Sequence, residues 1–400
     1  MNKNIVSNIF ATLLGVLSPI IVIPILISSM SIESYGEYVS YISLVAMINV
    51  FSDLGLGMYL PKEVSKNSEN RKCVNNLLSS YIIIKLALML VSTIVIVTMV
   101  NNDVIALALI IYCLFSSLDL VPILNGLEQY KVTAFFQLIV KVLTVVLVIL
   151  LDFTEKGIEK ALFVQAIAVT AMFCFQLVFI LISKRFKIVT PNFKELVNII
   201  TSASAFYFSR LLVNLYQRSS IYAVSLFLPS GSVALYSIGL QFYQVGQAVV
   251  GAVSRVLYTS TMKTKNLKII FRKSVLCVCI YLSLALVVIL LGENILSLVF
   301  EFDTKKLHYI SVIFYVSLLP LAMSSFWGYP ALVPFGYEKE AHSGILISSI
   351  SYYIALFAIF VMDVISLVSL VSCILFADII GMTMRFYYAS KKLKLKIWLD

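Results

Sequence analysis

The sequence predicts an all-α, polytopic membrane protein with about twelve transmembrane helices in two six-helix bundles around a central cavity. Three observations carry that prediction. Hydrophobic residues make up 61% of the 400-residue chain, charged residues only 12%, and the mean hydropathy is +1.00. A soluble domain cannot bury that much apolar surface. The apolar runs are about 20 residues long, which suits membrane-crossing helices and is too long for barrel strands. Finally, Lys and Arg concentrate in alternate breaks between the runs, the positive-inside pattern. The net charge of +10 is thus mostly topology signal, and no nucleic-acid partner is expected.

The first apolar run, near 5–29, follows Lys3 and lacks a small-x-small cleavage site, so it reads as a retained helix and not a removed signal. Further runs fall near 38–60, 78–100, 104–124, 131–151 and 158–183. A polar break, Lys184–Glu195 with Pro191 inside it, precedes runs near 198–228, 233–258, 272–292, 309–334, 343–362 and 365–387. The break divides the chain into an N-terminal half, 1–190, and a C-terminal half, 191–400, with six spans in each. With a cytoplasmic N-terminus, twenty-one Lys and Arg residues lie in inner segments and four (Lys156, Lys160, Lys305 and Lys306) in outer ones. The C-terminus is then cytoplasmic as well. The tail lysines Lys391–Lys396 are expected to rest on anionic headgroups.

The seventh run contains a polar stretch, Thr201–Tyr222, with Arg210, Asn214, Gln217 and Arg218. If it did not cross, every later loop would change side, and the clusters at Lys263–Lys273 and Arg385–Lys396 would move outside. The charge pattern therefore requires it to cross. Six spans per half, both halves starting on the same side, permit a parallel repeat. A shift of 198 residues lays Tyr35-Gly-Glu-Tyr38 on Val233-Ala-Leu-Tyr236, each opening a span after a short turn.

Eight ionisable residues fall within spans: Asp53, Lys85, Asp119, Lys141, Arg210, Arg218, Arg255 and Asp378. Such residues usually face a bundle interior or a watery cavity. Lys85 and Arg255, near span ends, have snorkelling to the headgroups as the alternative. Steps of four join Arg210, Asn214 and Arg218 on one helix face, with Gln217 seven beyond Arg210. The eighth span adds Gln241, Gln244 and Gln247, and the first adds Asn4, Asn8 and Thr12. These polar faces imply a hydrated cavity lined by the opening helices of both halves. The three acids either neutralise cations in interhelical pairs or titrate. In both cases a net positive interior remains, and Arg suits phosphate through its planar fork of donors. The expected substrate-binding set is Arg210, Arg218, Lys141, Arg255, Lys85, Asn214, Gln217 and Gln244. Asp53, Asp119 and Asp378 are the set for charge pairing or ion coupling.

No cofactor, metal or catalytic group is expected. Five of the six cysteines lie inside apolar runs and read as packing residues. His308 and His342 are far apart, and no Walker A sequence occurs. A membrane polysaccharide polymerase would carry a large outer loop, whereas the longest here, Gly292–His308, has about 17 residues. A multidrug or cation antiporter would favour acids in its cavity, against the cation excess.

With its six-plus-six spans, Ser52-Asp-Leu-Gly55 closing the second, Ser117-Leu-Asp-Leu-Val-Pro122 followed by Asn125-Gly-Leu-Glu128 in the fourth, and a polar seventh, the chain resembles a known superfamily. It is similar to the multidrug/oligosaccharidyl-lipid/polysaccharide (MOP) exporters, and within them to the Wzx-type O-antigen flippases. That resemblance implies a carrier that flips an undecaprenyl-pyrophosphate-linked oligosaccharide, an O-antigen or capsule repeat unit, across the bacterial inner membrane by alternating access. It implies coupling to an ion gradient, no enzymatic activity, and membrane lipids, a polysaccharide polymerase and chain-length machinery as partners.

Overall fold

The computed structural model describes residues 19–184 and 186–393. The side chains of 183, 205, 206, 208–210, 212–218 and 286 are not described. The described chain is helical between short turns. Its helices are α1 (Pro19–Ser29), α2 (Ile32–Ser52), α3 (Leu56–Lys66), α4 (Arg71–Met99), α5 (Asp103–Ser117), α6 (Val121–Gly126), α7 (Tyr130–Leu150) and α8 (Gly157–Val178). They continue with α9 (Phe193–Phe227), α10 (Ser230–Thr264), α11 (Leu267–Val299), α12 (Lys305–Trp327), α13 (Tyr329–Leu332), α14 (Glu338–Val361) and α15 (Leu367–Lys392). Among the described residues seven segments are long and apolar enough to cross a membrane, or nine when each of two bent pairs counts as one span. With α1, α9 and α10 these make twelve segments in the order read from the sequence; of the first, read near 5–29, only Pro19–Ser29 is among the described residues. The chain is a multi-pass helical membrane protein.

Polar side chains at the loops start the helices. The Ser31 hydroxyl accepts from the Ser34 amide at 3.2 Å, Asn70 Oδ1 from Cys73 N at 3.2 Å, and Asn102 Oδ1 from Val104 N at 2.9 Å. Ser366 and Ser369 form a capping box at α15. Each cap satisfies amides that the first helical turn leaves without partners. The polar α9 is one unbroken helix of 35 residues through Arg210 and Arg218. At 1.5 Å per residue it runs about 52 Å, well beyond the hydrocarbon thickness of about 30 Å.

The chain packs into two compact units that divide between Tyr222 and Ala223. In the first, the segment read as one span near 38–60 is bent by 52° between α2 and α3. Leu54 and Gly55 both take positive φ there (48° and 81°), a conformation that terminates a helix. α3 then turns a narrow stripe, Leu56, Leu60 and Val64, all fully buried, against α4 and α6. In the second unit Gly239 of α10 lies against Phe314 of α12, whose ring meets Tyr236 edge-on at 5.6 Å.

Each unit breaks one span in the same way. α5 gives way to the short α6 with Pro122 in its first turn, and α12 to the short α13 with Pro330 in its first turn. After the break come Gly126-Leu127-Glu128 in one unit and Gly336-Tyr337-Glu338 in the other. The helices α2 and α10 start 198 residues apart, at Ile32 and Ser230.

Candidate functional site

A broken helix inside a membrane exposes carbonyls and amides that must be satisfied by protein. In the first unit five side chains do this. Lys85 of α4, 4% exposed, donates from Nζ to the Ser52 carbonyl at 2.8 Å, at the C-terminal end of α2. Its charge meets the negative end of the α2 dipole, and the Tyr81 ring lies 5.7 Å away. The Tyr81 hydroxyl donates toward the carbonyls of Ser117 (3.0 Å) and Asp119 (2.8 Å) at the α5–α6 break. Gln176 of α8, fully buried, accepts from Leu120 N at 2.8 Å and donates to Asp119 Oδ1 at 2.8 Å. Asp119 Oδ1 also accepts from Val121 N at 3.1 Å.

The two acids of this unit therefore stand at helix N-termini. Asp53 Oδ1 accepts from Gly57 N at 3.1 Å at the start of α3, as Asp119 does at the start of α6. Both meet the positive ends of half-helices. Among the described residues neither forms an ion pair, with Lys85 or otherwise; the only ion pair is Lys392–Glu340 at 3.1 Å.

In the second unit the cation at the break is Arg385 of α15, 6% exposed. Its Nη1 donates to the Ser324 carbonyl at 2.9 Å and hydroxyl at 3.0 Å, and Nη2 donates to the Ala341 carbonyl at 3.4 Å. The Tyr329 ring lies 5.9 Å from its guanidinium carbon. Gly328 and Gly344 leave room for it, since a Cβ at either would meet its side chain. The neighbouring carbonyls of Ser325 and Pro330 accept from Ser254 (3.0 Å) and Thr261 (2.8 Å) of α10. Asp378, 6% exposed on α15, accepts from the Tyr243 hydroxyl at 2.6 Å.

The remaining residues of the expected set are scattered. Lys141 is half-buried near the centre of α7, with no hydrogen bond or ion pair among the described residues. Arg255 is exposed on α10, its guanidinium 4.0 Å from the position of a Cβ on Gly251, and Gln244 is half-buried on the same helix. Arg210, Asn214, Gln217 and Arg218 lie on α9, but their side chains are outside the described residues. Arg385, Tyr81 and Gln176 are missed by sequence reasoning. Arg385 sits at the end of a run that closes in a lysine-rich tail, so it counts there as a topology charge; its signal was the pair of glycines across from it, on other helices. All six cysteines are free, and among the described residues no three His, Cys, Asp or Glu side chains converge on a metal-sized point.

Solved structures share this arrangement of helical segments, with a matching broken span in each of two units. One is an inward-facing multidrug resistance MATE family transporter of the MOP superfamily, with TM-score 0.72, 14% identity, and 96% of each chain covered. A second is an outward-facing MATE transporter of that superfamily, with TM-score 0.61, 13% identity, and 100% of this chain and 97% of that one covered. A third is a MOP superfamily transporter from Pyrococcus furiosus described as having a binding pocket of reverse polarity, with TM-score 0.57, 13% identity, and coverage of 98% and 96%. The fold is that of the superfamily the sequence resembles. The family described as polysaccharide biosynthesis protein matches residues 1–258, and the chain belongs to it. No curated protein matches the chain.

Proposed function

We propose that this protein is a flippase. It carries a polyprenyl-pyrophosphate-linked oligosaccharide across the bacterial inner membrane, with both termini cytoplasmic, by alternating access of the halves 1–190 and 191–400. The observation that carries the reading is the excess of cations over acids in the spans of a polysaccharide-biosynthesis family member, with Lys141, near the middle of α7, unpaired among the described residues. An unpaired ammonium at that depth costs several kcal/mol if it faces lipid, and an anionic cargo removes the cost. The pyrophosphate supplies that anion, and Lys141, Arg210, Arg218 and Arg255 are its proposed contacts. Asn214, Gln217 and Gln244 bind sugar hydroxyls. Lys85 serves the site by holding the α2–α3 bend. Asp53, Asp119 and Asp378 are the acids available to an ion gradient. The reversed pocket polarity described for the Pyrococcus furiosus transporter supports a fold that accepts cargo of either charge.

The test is surface glycan display in cells lacking the gene, complemented with wild type, Lys141→Ala, Arg210→Ala or Arg210→Lys at matched membrane abundance. The flippase reading expects lipid-linked single repeat units to accumulate inside. It also expects wild type alone to restore export fully, with both alanine variants failing. Repeat units that reach the outer leaflet but stay unpolymerised would instead identify a polymerase.

A further inference from the structure

Two cavities lie end to end along α11 and α15 in the second unit. The first, about 620 Å³, is lined by Lys265, Lys268, Phe335, Tyr337 and Lys392, where the α10–α11 turn meets the end of α15. The second, about 450 Å³, starts one turn further along α11, at Phe271, and reaches Cys279. Its opposite wall is Trp327 of α12 with Met382 and Phe386 of α15. The nine residues of α11 from Phe271 to Cys279 make this groove about 12 Å long.

The chemistry of the two cavities is opposite. Lys265 and Lys268 are exposed and, among the described residues, pair with no acid. Lys392 shares its charge with Glu340, the one acid beside it, at 3.1 Å and lies 5.4 Å from the Tyr337 ring centre. In the groove the only side-chain hydroxyls are those of Ser274 and Thr383; the rest of the wall is apolar. A cationic cleft followed, three residues further along α11, by an apolar groove matches one kind of molecule, an anionic head on a hydrocarbon chain.

We propose that these cavities form a docking site for a polyprenyl diphosphate, with the diphosphate among Lys265, Lys268 and Lys392 and the first isoprene units in the groove. The proposal deepens the flippase reading and rests on it, by giving the carrier lipid a place on the protein separate from the cations of the spans. Charge complementarity selects the head, and two adjoining phosphates use two unpaired ammonium groups. The tail follows from the flippase reading, whose cargo carries one polyprenyl chain; phosphatidylglycerol, with two acyl chains, is the competitor that the test includes.

The full-length protein in detergent is treated with an apolar maleimide, and modification of Cys279, exposed in the groove, is read by peptide mass spectrometry. Undecaprenyl diphosphate is expected to slow that modification about tenfold. Geranyl diphosphate, inorganic pyrophosphate and phosphatidylglycerol are not. Lys265→Glu combined with Lys268→Glu, both surface changes, abolishes protection without moving the melting temperature. Val278→Trp fills the groove and weakens undecaprenyl diphosphate about tenfold while pyrophosphate still competes for the head cleft. Equal protection by phosphatidylglycerol, or none by undecaprenyl diphosphate, overturns the docking site. Translocation of the saccharide-linked lipid in proteoliposomes is scored separately. If wild type translocates and Cys279 stays unprotected, only the docking site fails; if Cys279 is protected and nothing is translocated, only the flippase reading fails.

Discussion

Lys85 and Arg385 show how a cation sits inside this protein without a contact ion pair among the described residues. Each has backbone carbonyls as its main acceptors: Lys85 at the end of α2, and Arg385 at the end of α12 together with the Ala341 carbonyl on α14. The interaction is local and geometric, so it is sensitive to the shape of the donor. Arg385→Met removes the guanidinium from two carbonyls, of which Ser324 O keeps its bond from Gly328 N at 3.0 Å; a loss of about 1–3 kcal/mol in all is expected, read as a lower melting temperature in detergent. Arg385→Lys recovers only part, because one ammonium replaces a fork that reaches both Ser324 and Ala341. Equal melting temperatures for wild type and Arg385→Met would show that the carbonyls find other donors. Gln176→Leu removes the donor to Asp119 and the acceptor for Leu120 together; a loss of about 1–3 kcal/mol is expected in the same melts.

The broken spans are the elements on which these residues act. Gly55 closes the α2–α3 bend at φ 81°, and a Cβ there would collide with the Ala203 carbonyl of α9. Gly336 has a similar φ of 85° but open space around it. Gly336→Ala should therefore cost only the left-handed backbone, about 1–2 kcal/mol. Gly55→Ala adds a packing clash of about 1–3 kcal/mol. Comparing folded yield and melting temperature for the two checks this, and equal losses would mean that α9 can move away. Hydropathy located the strongly apolar spans, because a run of about 20 apolar residues is visible whatever it packs on, whereas the polar α9 was read from the charge pattern around it. It missed the bend at Asp53–Gly55, because the apolar count continues across it. The residue types in Ser52-Asp-Leu-Gly55 do carry the signal: an acid that can cap, then a glycine that can take positive φ. Lys141 was legible as an intramembrane cation because its neighbours in sequence are apolar. Arg385 was not, since its burial is created by Gly328 and Gly344 on other helices.

For the whole molecule, the charge pattern makes a prediction about sides. Single cysteines placed in a serine-for-cysteine background report it through a membrane-impermeant maleimide on intact spheroplasts. Asp303→Cys, between α11 and α12, should label from outside. Asn266→Cys, between α10 and α11, should label only after the membrane is opened. If both label from outside, α11, which lies between them, does not cross. If the pattern is reversed, Glu69→Cys, between α3 and α4, decides: labelled only after opening, it shows that α9 does not cross, and labelled from outside, it shows that the whole orientation is inverted.

The order in which the carbonyl-held cations are made has a consequence for biogenesis. A ribosome delivers Ser52 before Lys85, and both Ser324 and Ala341 before Arg385. Each costly charge thus enters the membrane when its acceptors are already there, and no stage of synthesis has to shelter it. A circular permutant that starts at α14 would reverse this for Arg385 and Ser324 while leaving the finished contacts unchanged. It should insert poorly even where the native order, once folded, is equally stable, and pulse-chase protease protection would separate the two.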